Sequence, residues 1–343
     1  MPRYKSYLEL IETCNRVVGD STRTYYWKPL DSNRAVAERE LTKIVLRNDR
    51  REHQTFGYLT PDVVNSLPWT SCGVRELERD SPWDDGDAHV YEFREDGHTG
   101  WLNDRLIRMA RSRVVREKFP FLGEWGNGSG GPGDFVPLVG GPKDVKVPDY
   151  LAIILGVVQR EVHLTIYVQT QDDILVWAQN RSKDALLYPG MVDHAASGVI
   201  KHGETEIDVI NRLVYEDIDD GRGQMYKVKR HKPVSYFTIR PEEAGQLKGL
   251  PEAGINTYRS VKVDEEWVPR GIKNGYEAGK FTLLTLDEVK HSLLNGEWKP
   301  SSALSMVRFL ADIGATPGSY VEVEEVCKKL YRQLPHWLPP IFS

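Results

Sequence analysis

The 343 residues carry 45 lysines and arginines against 50 aspartates and glutamates, for a net charge of -5, with 40% hydrophobic and 28% charged residues. That balance is enough for a globular core, excludes a chain disordered throughout, and gives no basic footprint for nucleic acid. Three cysteines (Cys14, Cys72, Cys327), far apart and with no Cys-x-x-Cys, exclude a disulfide framework, and the longest apolar run, 151–158, is far short of the ~20 residues a membrane span needs.

With no signal-peptide run at the start, these features predict a cytoplasmic protein whose partner is a small molecule, with neither nucleic acid nor membrane, and with the oligomeric state open. The length suggests two domains or one large one. Tyr7, Leu8, Ile11, Cys14 and Val17 begin the chain in a helical pattern, followed by the aromatic cluster Tyr25-Tyr26-Trp27 and an amphipathic segment at 35–46. Residues 57–62 read as a strand end, a turn and a helix starting at Pro61, where proline is tolerated. Asp84-Asp85-Gly86-Asp87 reads as a turn, and 102–116 as one basic amphipathic helix with Leu102, Leu106, Met109 and Val114 on its apolar side. The glycine run 126–133 lacks the Gly-Lys-Ser/Thr ending of a phosphate loop and reads as a connector.

Beyond it the pattern changes. Val162, Leu164, Ile166 and Val168 alternate with His163, Thr165 and Tyr167 as a strand, and 174–179, 233–239, 258–263 and 280–284 suit further strands. Helices fit 286–294, opened by Asp287 and Glu288, and 301–313. This alternation predicts an α/β/α sandwich with a mixed sheet, preceded by a smaller α+β domain. The expected boundaries are an accessory domain at 1–125, a linker at 126–147, the sandwich at 148–315 and a C-terminal extension at 316–343. The tryptophans, among them Trp69, Trp83, Trp101, Trp125, Trp177 and Trp267, are expected in the core.

The stretch 197–220 holds seven carboxylates against only Lys201 and Arg212. A glycine turn from Gly198 to Gly203 leads into a segment with Ile207, Ile210, Val214 and Ile218 at helical spacing. Five residues separate Gly198 from Glu204, seven more precede Arg212, and Glu216 and Asp217 follow. This order resembles the Nudix box, with Leu213 in place of the glutamate that follows the arginine, and Asp219 and Asp220 where the box has glycine and an aliphatic residue. A register slip would instead group Glu216, Asp219 and Asp220.

The flanks extend the resemblance. Arg181-Ser182-Lys183, Tyr188-Pro189-Gly190-Met191, Asp193, the strand at 157–168, and Lys299-Pro300, Ala303-Leu304, Phe309-Leu310 and Gly314 resemble the thiamin-pyrophosphokinase-related Nudix group, whose members carry an N-terminal accessory domain. The resemblance implies hydrolysis of an organic diphosphate, thiamin-like or prenyl, with Mg²⁺ or Mn²⁺. Such chemistry needs hard cations on oxygen ligands, which a helix supplies from positions i, i+3 and i+4. Carried over by position, Glu216 and Asp217 are the expected metal ligands and catalytic carboxylates, with Glu204 either a further ligand or the residue that orients loop and arginine. Glu277 matches a downstream glutamate near the metal or water. Arg181, Lys183, Tyr188 and Gly198 are expected to line the substrate. His194 is either an acid/base group or a loop histidine held by local hydrogen bonds. With Leu213 in the box, a repurposed isomerase, cyclase or rearrangement catalyst in specialised metabolism is an alternative, and a non-catalytic ligand-binding module is another.

Overall fold

The structure is a computed structural model, and it describes residues 2–19, 25–27, 39–47, 53–77, 90–94, 99–123, 134–218, 228–269, 278–332 and 334. The expected turn at 84–87, the glycine run 126–133, Trp83, Trp125 and Glu277 lie outside these residues.

One strand, Gln159–Gln169, organises the larger half. It runs parallel to Pro251–Val263, with Gln159 opposite Gly254 and Val168 opposite Val263, and antiparallel to Ile174–Arg181 and Ala196–Val199. Val192–His194 and Ala278–Thr285 extend the sheet beyond Ile174–Arg181, while Lys229–Arg230 and Val234–Ile239 pair with Pro251–Val263. The result is a mixed eight-stranded sheet.

Successive side chains on a strand point to opposite faces. Val162, Leu164, Ile166 and Val168 therefore meet Val209, Ile210 and Leu213 of the helix Glu206–Leu213. Glu161, His163 and Thr165 point the other way, toward the helix Pro300–Asp312, where Tyr167 packs on Phe309 with ring centroids 5.6 Å apart. With helices on both faces, the expected α/β/α sandwich is present, and the polar side of the alternation is buried as completely as the apolar side: His163 and Thr165 have no solvent exposure.

The ends of the chain pack together. The helix Tyr7–Cys14 buries Tyr7, Leu10, Ile11 and Cys14 against Leu304, Phe309 and Val326. Val326 belongs to the helix Tyr320–Lys329, within the stretch expected only as a C-terminal extension. Its missed signal is the reciprocal cap between Ser319 and Glu322.

A second, four-stranded sheet is built from His53–Leu59, Thr42–Arg47, Val90–Arg94 and Val74–Leu77 in that order, with Thr42–Arg47 parallel to Val90–Arg94. The helix Pro61–Val64 starts at proline as expected. The single helix expected over 102–116 is broken. Thr99–Arg111 buries Leu102, Leu106 and Met109, Ser112 turns extended, and Arg113–Lys118 then buries Val115 while Val114 is 57% exposed. Serine favours helix caps over helix interiors, which accounts for the position of the break.

The hairpin Phe135–Pro137 with Lys146–Pro148, and the helix Asp149–Ile154 after it, share a core with Ile44, Phe56 and Phe93. Two glycines join this segment to the smaller sheet. A Cβ on Gly57 would stand 2.2 Å from the Leu155 carbonyl oxygen, and one on Gly156, whose φ is +57°, would stand 2.2 Å from that of Tyr58. Gly156→Ala combines a left-handed backbone with a backbone clash and is expected to destabilise the protein by about 2 kcal/mol or more, read as a lower urea midpoint. Among the described residues, no helix is long and apolar enough to cross a membrane.

Candidate functional site

The acidic stretch forms a loop and helix hung from the central strand. Ala196–Val199 sets Gly198 opposite Val162, and the chain then turns through 200–204. The Thr205 side chain accepts from the Asp208 N–H while the Asp208 carboxylate accepts from the Thr205 N–H, so the helix start satisfies its own free donors. Glu204 is clasped by Arg212: Nε donates to Oε1 at 2.8 Å and Nη2 to Oε2 at 3.0 Å. The same Arg212 Nη2 reaches the Val199 carbonyl at 3.1 Å, and the Lys201 N–H donates to Glu204 Oε2 at 2.9 Å. Partial burial alone would raise the Glu204 carboxyl, but the Arg212 fork and the Lys201 amide outweigh it and hold the group below its ordinary range.

The smaller half also holds this loop. Lys201 Nζ pairs with Asp134 at 2.7 Å, and the His202 N–H donates to the Phe135 carbonyl at 2.8 Å. Arg212→Lys loses the bidentate fork and is expected to cost about 1–2 kcal/mol, with faster hydrogen exchange confined to the amides of 199–205.

The α-helix ends at Leu213, and Val214–Ile218 continues as a π-helical turn. The i, i+3, i+4 set expected from 213, 216 and 217 on one α-helical face is therefore not formed, because Glu216 and Asp217 ride on a wider turn. The apolar stripe is also rotated from its expected place. Ile210 and Ile218 are buried as expected, but Ile207 is 55% exposed and Val209 and Leu213 take the inner positions. A Cβ on Gly198 would come within 3.0 Å of a Leu213 methyl, so the strand approaches the helix as closely as it does because residue 198 is glycine. Leu213 lies in an apolar cluster with Val162, Ala196 and Val209.

These contacts test the fit of a divalent ion. Both Glu204 oxygens are engaged by the arginine and the loop, and Leu213 brings no donor. Among the described residues, no three His, Cys, Asp or Glu side chains gather in a way that would hold a metal. The side chains of Glu216 and Asp217 lie outside the described set, as does Glu277, so the described donors do not by themselves fit such an ion.

His194 is on the other side of the sheet. It caps the strand Val192–His194, has no exposure, and its Nδ1 lies 3.0 Å from Thr165 Oγ1, on the face covered by Pro300–Asp312. The sheet thus separates it from the loop and helix. Around it lies a buried ionic cluster. Asp193 takes Arg181 Nη1 at 3.2 Å, Ser197 Oγ at 3.0 Å and Ser302 Oγ at 2.5 Å. Glu161 takes His163 Nε2 at 3.0 Å and Lys299 Nζ at 3.4 Å.

Burial alone would raise both carboxyls. Lys299, helped by Arg181 at Asp193 and by His163 at both, reverses this, holding Glu161 down at about 2 and Asp193 lower still. The two carboxylates in turn raise Lys299 against the effect of its own burial. His194, buried and beside His163, is pushed down to about 3, so its imidazole is neutral at pH 7. Among the described residues, no hydrogen bond of ordinary geometry reaches its Nε2.

Of the expected substrate-binding residues, Arg181 belongs to this cluster, with its Nε also donating to the Leu187 carbonyl at 2.7 Å. Tyr188 is fully buried at a φ of 50°, and its hydroxyl donates to Glu252 at 2.5 Å beside Tyr236 at 3.1 Å. Lys183 is exposed, and Gly198 lies across the sheet from them. The structure therefore brings Arg181 and His194 together through Asp193, and does not group them with Gly198 and Glu204. Glu161 and Lys299 are not among the expected site residues. Their one local signal is a charge at 161 on the same strand face as His163 and Thr165. An open cleft of about 610 Å³ runs beside Ile174–Arg181, lined by Asn180, Val192, Thr282, Leu284, His291 and Glu297, none of them an expected site residue.

No family model matches the chain. It is 24% identical over 296 residues to an uncharacterized protein of Saccharomyces cerevisiae, an alignment covering 82% of this chain and 81% of that one. Solved structures similar to part of it include a Caenorhabditis elegans Ap4A hydrolase, with 15% identity, TM-score 0.31, and coverage of 46% of this chain and 98% of that one. Another is the Escherichia coli dihydroneopterin triphosphate pyrophosphohydrolase, with 14% identity, TM-score 0.33, and coverage of 45% and 95%.

Proposed function

We propose that this chain is a divergent Nudix-type enzyme that takes the diphosphate of a small organic molecule, thiamin-like or prenyl, at its loop and helix. The observation that carries the reading is the two-pronged Glu204–Arg212 clasp, closed over a loop that begins at Gly198 and ends in the capped helix. It joins the two residues at the spacing that the box gives its first glutamate and its arginine, although Leu213 stands where the box has a carboxylate.

In this reading Gly198 gives the helix its close approach to the sheet. Glu204 and Arg212 hold the loop, and Glu216 and Asp217, with Glu277, are the groups that would hold Mg²⁺ or Mn²⁺. Such an ion supplies charge neutralisation on diphosphate oxygens and a more acidic water. Arg181 and Tyr188 hold the segment 182–191 in place, with Lys183 at its surface.

The test is release of inorganic phosphate from thiamin diphosphate and from prenyl diphosphates. Release that requires Mg²⁺ or Mn²⁺, and is lost in EDTA and in Glu216→Gln, supports the reading. No release from any of these substrates with either metal, together with no Mn²⁺ uptake by electron paramagnetic resonance, would overturn it.

The apolar seat of Leu213 favours a second reading, a Nudix-type fold that binds or rearranges its ligand without hydrolysis. Its signature is turnover or binding that survives EDTA. In the form that assigns His194 as the acid/base group, turnover must also fail in His194→Ala.

A further inference from the structure

Three arginines converge on one carboxylate at the start of the site helix. Glu206, the first residue of Glu206–Leu213, has Arg160 Nη2 3.2 Å and Thr257 Oγ1 3.1 Å from Oε1, while its Oε2 accepts from Arg259 Nη2. Arg230 stands 3.7 Å away, near enough to attract Glu206 but too far for a hydrogen bond. The arginines come from three neighbouring strands on the sheet face that the helix covers.

Tying a helix start to a sheet needs one such arginine. Two features show that this cluster is built for more than Glu206 supplies. Arg230 and Arg259 are directly opposed in the antiparallel pairing of Lys229–Arg230 with Pro251–Val263, and like charges directly opposed across a sheet destabilise it. In addition, Arg259 Nε is buried with no acceptor among the described residues, a kind of donor that ordinarily weakens a fold. The single charge of Glu206 offsets only part of that repulsion and leaves this Nε unused. A group with several oxygens and more than one negative charge answers both, and the guanidinium fork matches phosphoryl geometry. Arg230, whose side chain is 67% exposed, leaves the cluster open to solvent on one side.

We propose that Arg160, Arg230 and Arg259 with Thr257 form a subsite for a phosphoryl or diphosphate group, in which Glu206 is a resident carboxylate that shares and competes for the arginines. The subsite is at the opposite end of the helix from Glu216 and Asp217 and requires no metal. Its anion could be carried by a soluble metabolite or by a lipid headgroup, and the charge pattern is the same for both. We assign it to a soluble phosphorylated molecule.

The test is titration of the full chain with inorganic pyrophosphate in EDTA by calorimetry. Pyrophosphate should bind, and more weakly as salt is added. Arg230→Gln, at an exposed position, should weaken binding about tenfold, the effect of losing one charged contact of ~1.4 kcal/mol, with no fall in melting temperature. Glu206→Gln should tighten it by a similar factor, because the competing carboxylate is gone. Arg113→Gln, on the far exposed helix, should change nothing.

An anchor that serves only to tie the helix to the sheet predicts the reverse for Glu206→Gln: lower stability and no gain in affinity. That result, or absence of pyrophosphate binding by the wild type, or binding unchanged in Arg230→Gln, would overturn the proposal. Pyrophosphate binding that phosphatidic acid vesicles outcompete at equal phosphate concentration would overturn the assignment to a soluble ligand. Because every arm is read in EDTA, failure of the metal-dependent hydrolysis leaves these outcomes untouched.

Discussion

Lys299→Met is expected to lower the unfolding free energy by about 3–5 kcal/mol, the range for removing one partner of a buried ion pair. Lys299 is 7% exposed and sits between Glu161 and Asp193, two carboxylates that Arg181 alone cannot balance. Methionine fills the same volume, so the loss isolates charge from packing. Glu161→Gln in the Lys299→Met background should recover part of the stability, because the orphaned carboxylate is then removed as well. A double-mutant cycle in urea reads the coupling.

The pH dependence follows from the same residues. Glu161 titrates near 2 in the folded chain against an ordinary 4.5, so its contribution is fully present above about pH 5 and is lost as the pH falls through 4.5 toward 2. His194 is neutral when folded down to about pH 3 but takes a proton near 6.5 when unfolded, so it too removes stability as the pH falls below 6.5. The two effects act in the same direction. The wild type should lose stability steadily from about pH 6.5 to pH 2, and Lys299→Met should show a flatter slope below pH 5, because its Glu161 is no longer held down.

Leu213→Glu is the second large effect. Leu213 is 3% exposed in an apolar cluster, and a carboxylate placed there without a partner is expected to destabilise the fold by several kcal/mol in EDTA. If Glu216 and Asp217 turn toward it, Mn²⁺ will return most of that stability, and the melting temperature will climb with metal concentration as a bound ligand requires. Phosphate release from a diphosphate substrate should rise in the same variant. Melting that stays low at every Mn²⁺ concentration, with no gain in turnover, would show that the turn beyond Leu213 cannot complete a metal site.

Some of this architecture was legible in the chain because its signals are local. The helix Leu286–Leu294 has the bounds that the sequence predicts, with Asp287 and Glu288 in its first turn, and the structure adds a reciprocal cap between Thr285 and Glu288. The alternation over 162–168 announced a strand, and the spacing of Glu204 and Arg212 announced their clasp. The site beyond them was not legible in the same way. The π-helical turn after Leu213 alters a period that residue spacing assumes to be constant. The buried cluster joins 161, 181, 193 and 299, four positions that no local period relates, and only the sheet's mixed pairing brings them together. His194 lies just ahead of the glycine turn in the sequence, yet on the opposite side of the sheet from the helix. A strand reverses facing at each residue, so nearness along the chain said nothing about which side of the sheet it would occupy.

The seating of Tyr7–Cys14 on the last helices bears on how the protein can be divided. A fragment beginning at 148 would keep every strand of the eight-stranded sheet yet strip Tyr7, Leu10, Ile11 and Cys14 from the apolar cluster they share with Leu304 and Val326. Such a fragment is expected to self-associate, and a synthetic peptide of residues 2–19 added in trans should return it to a dispersed state. The opening segment would thus act as a detachable staple, reassembling a split protein by the surface it was cut from.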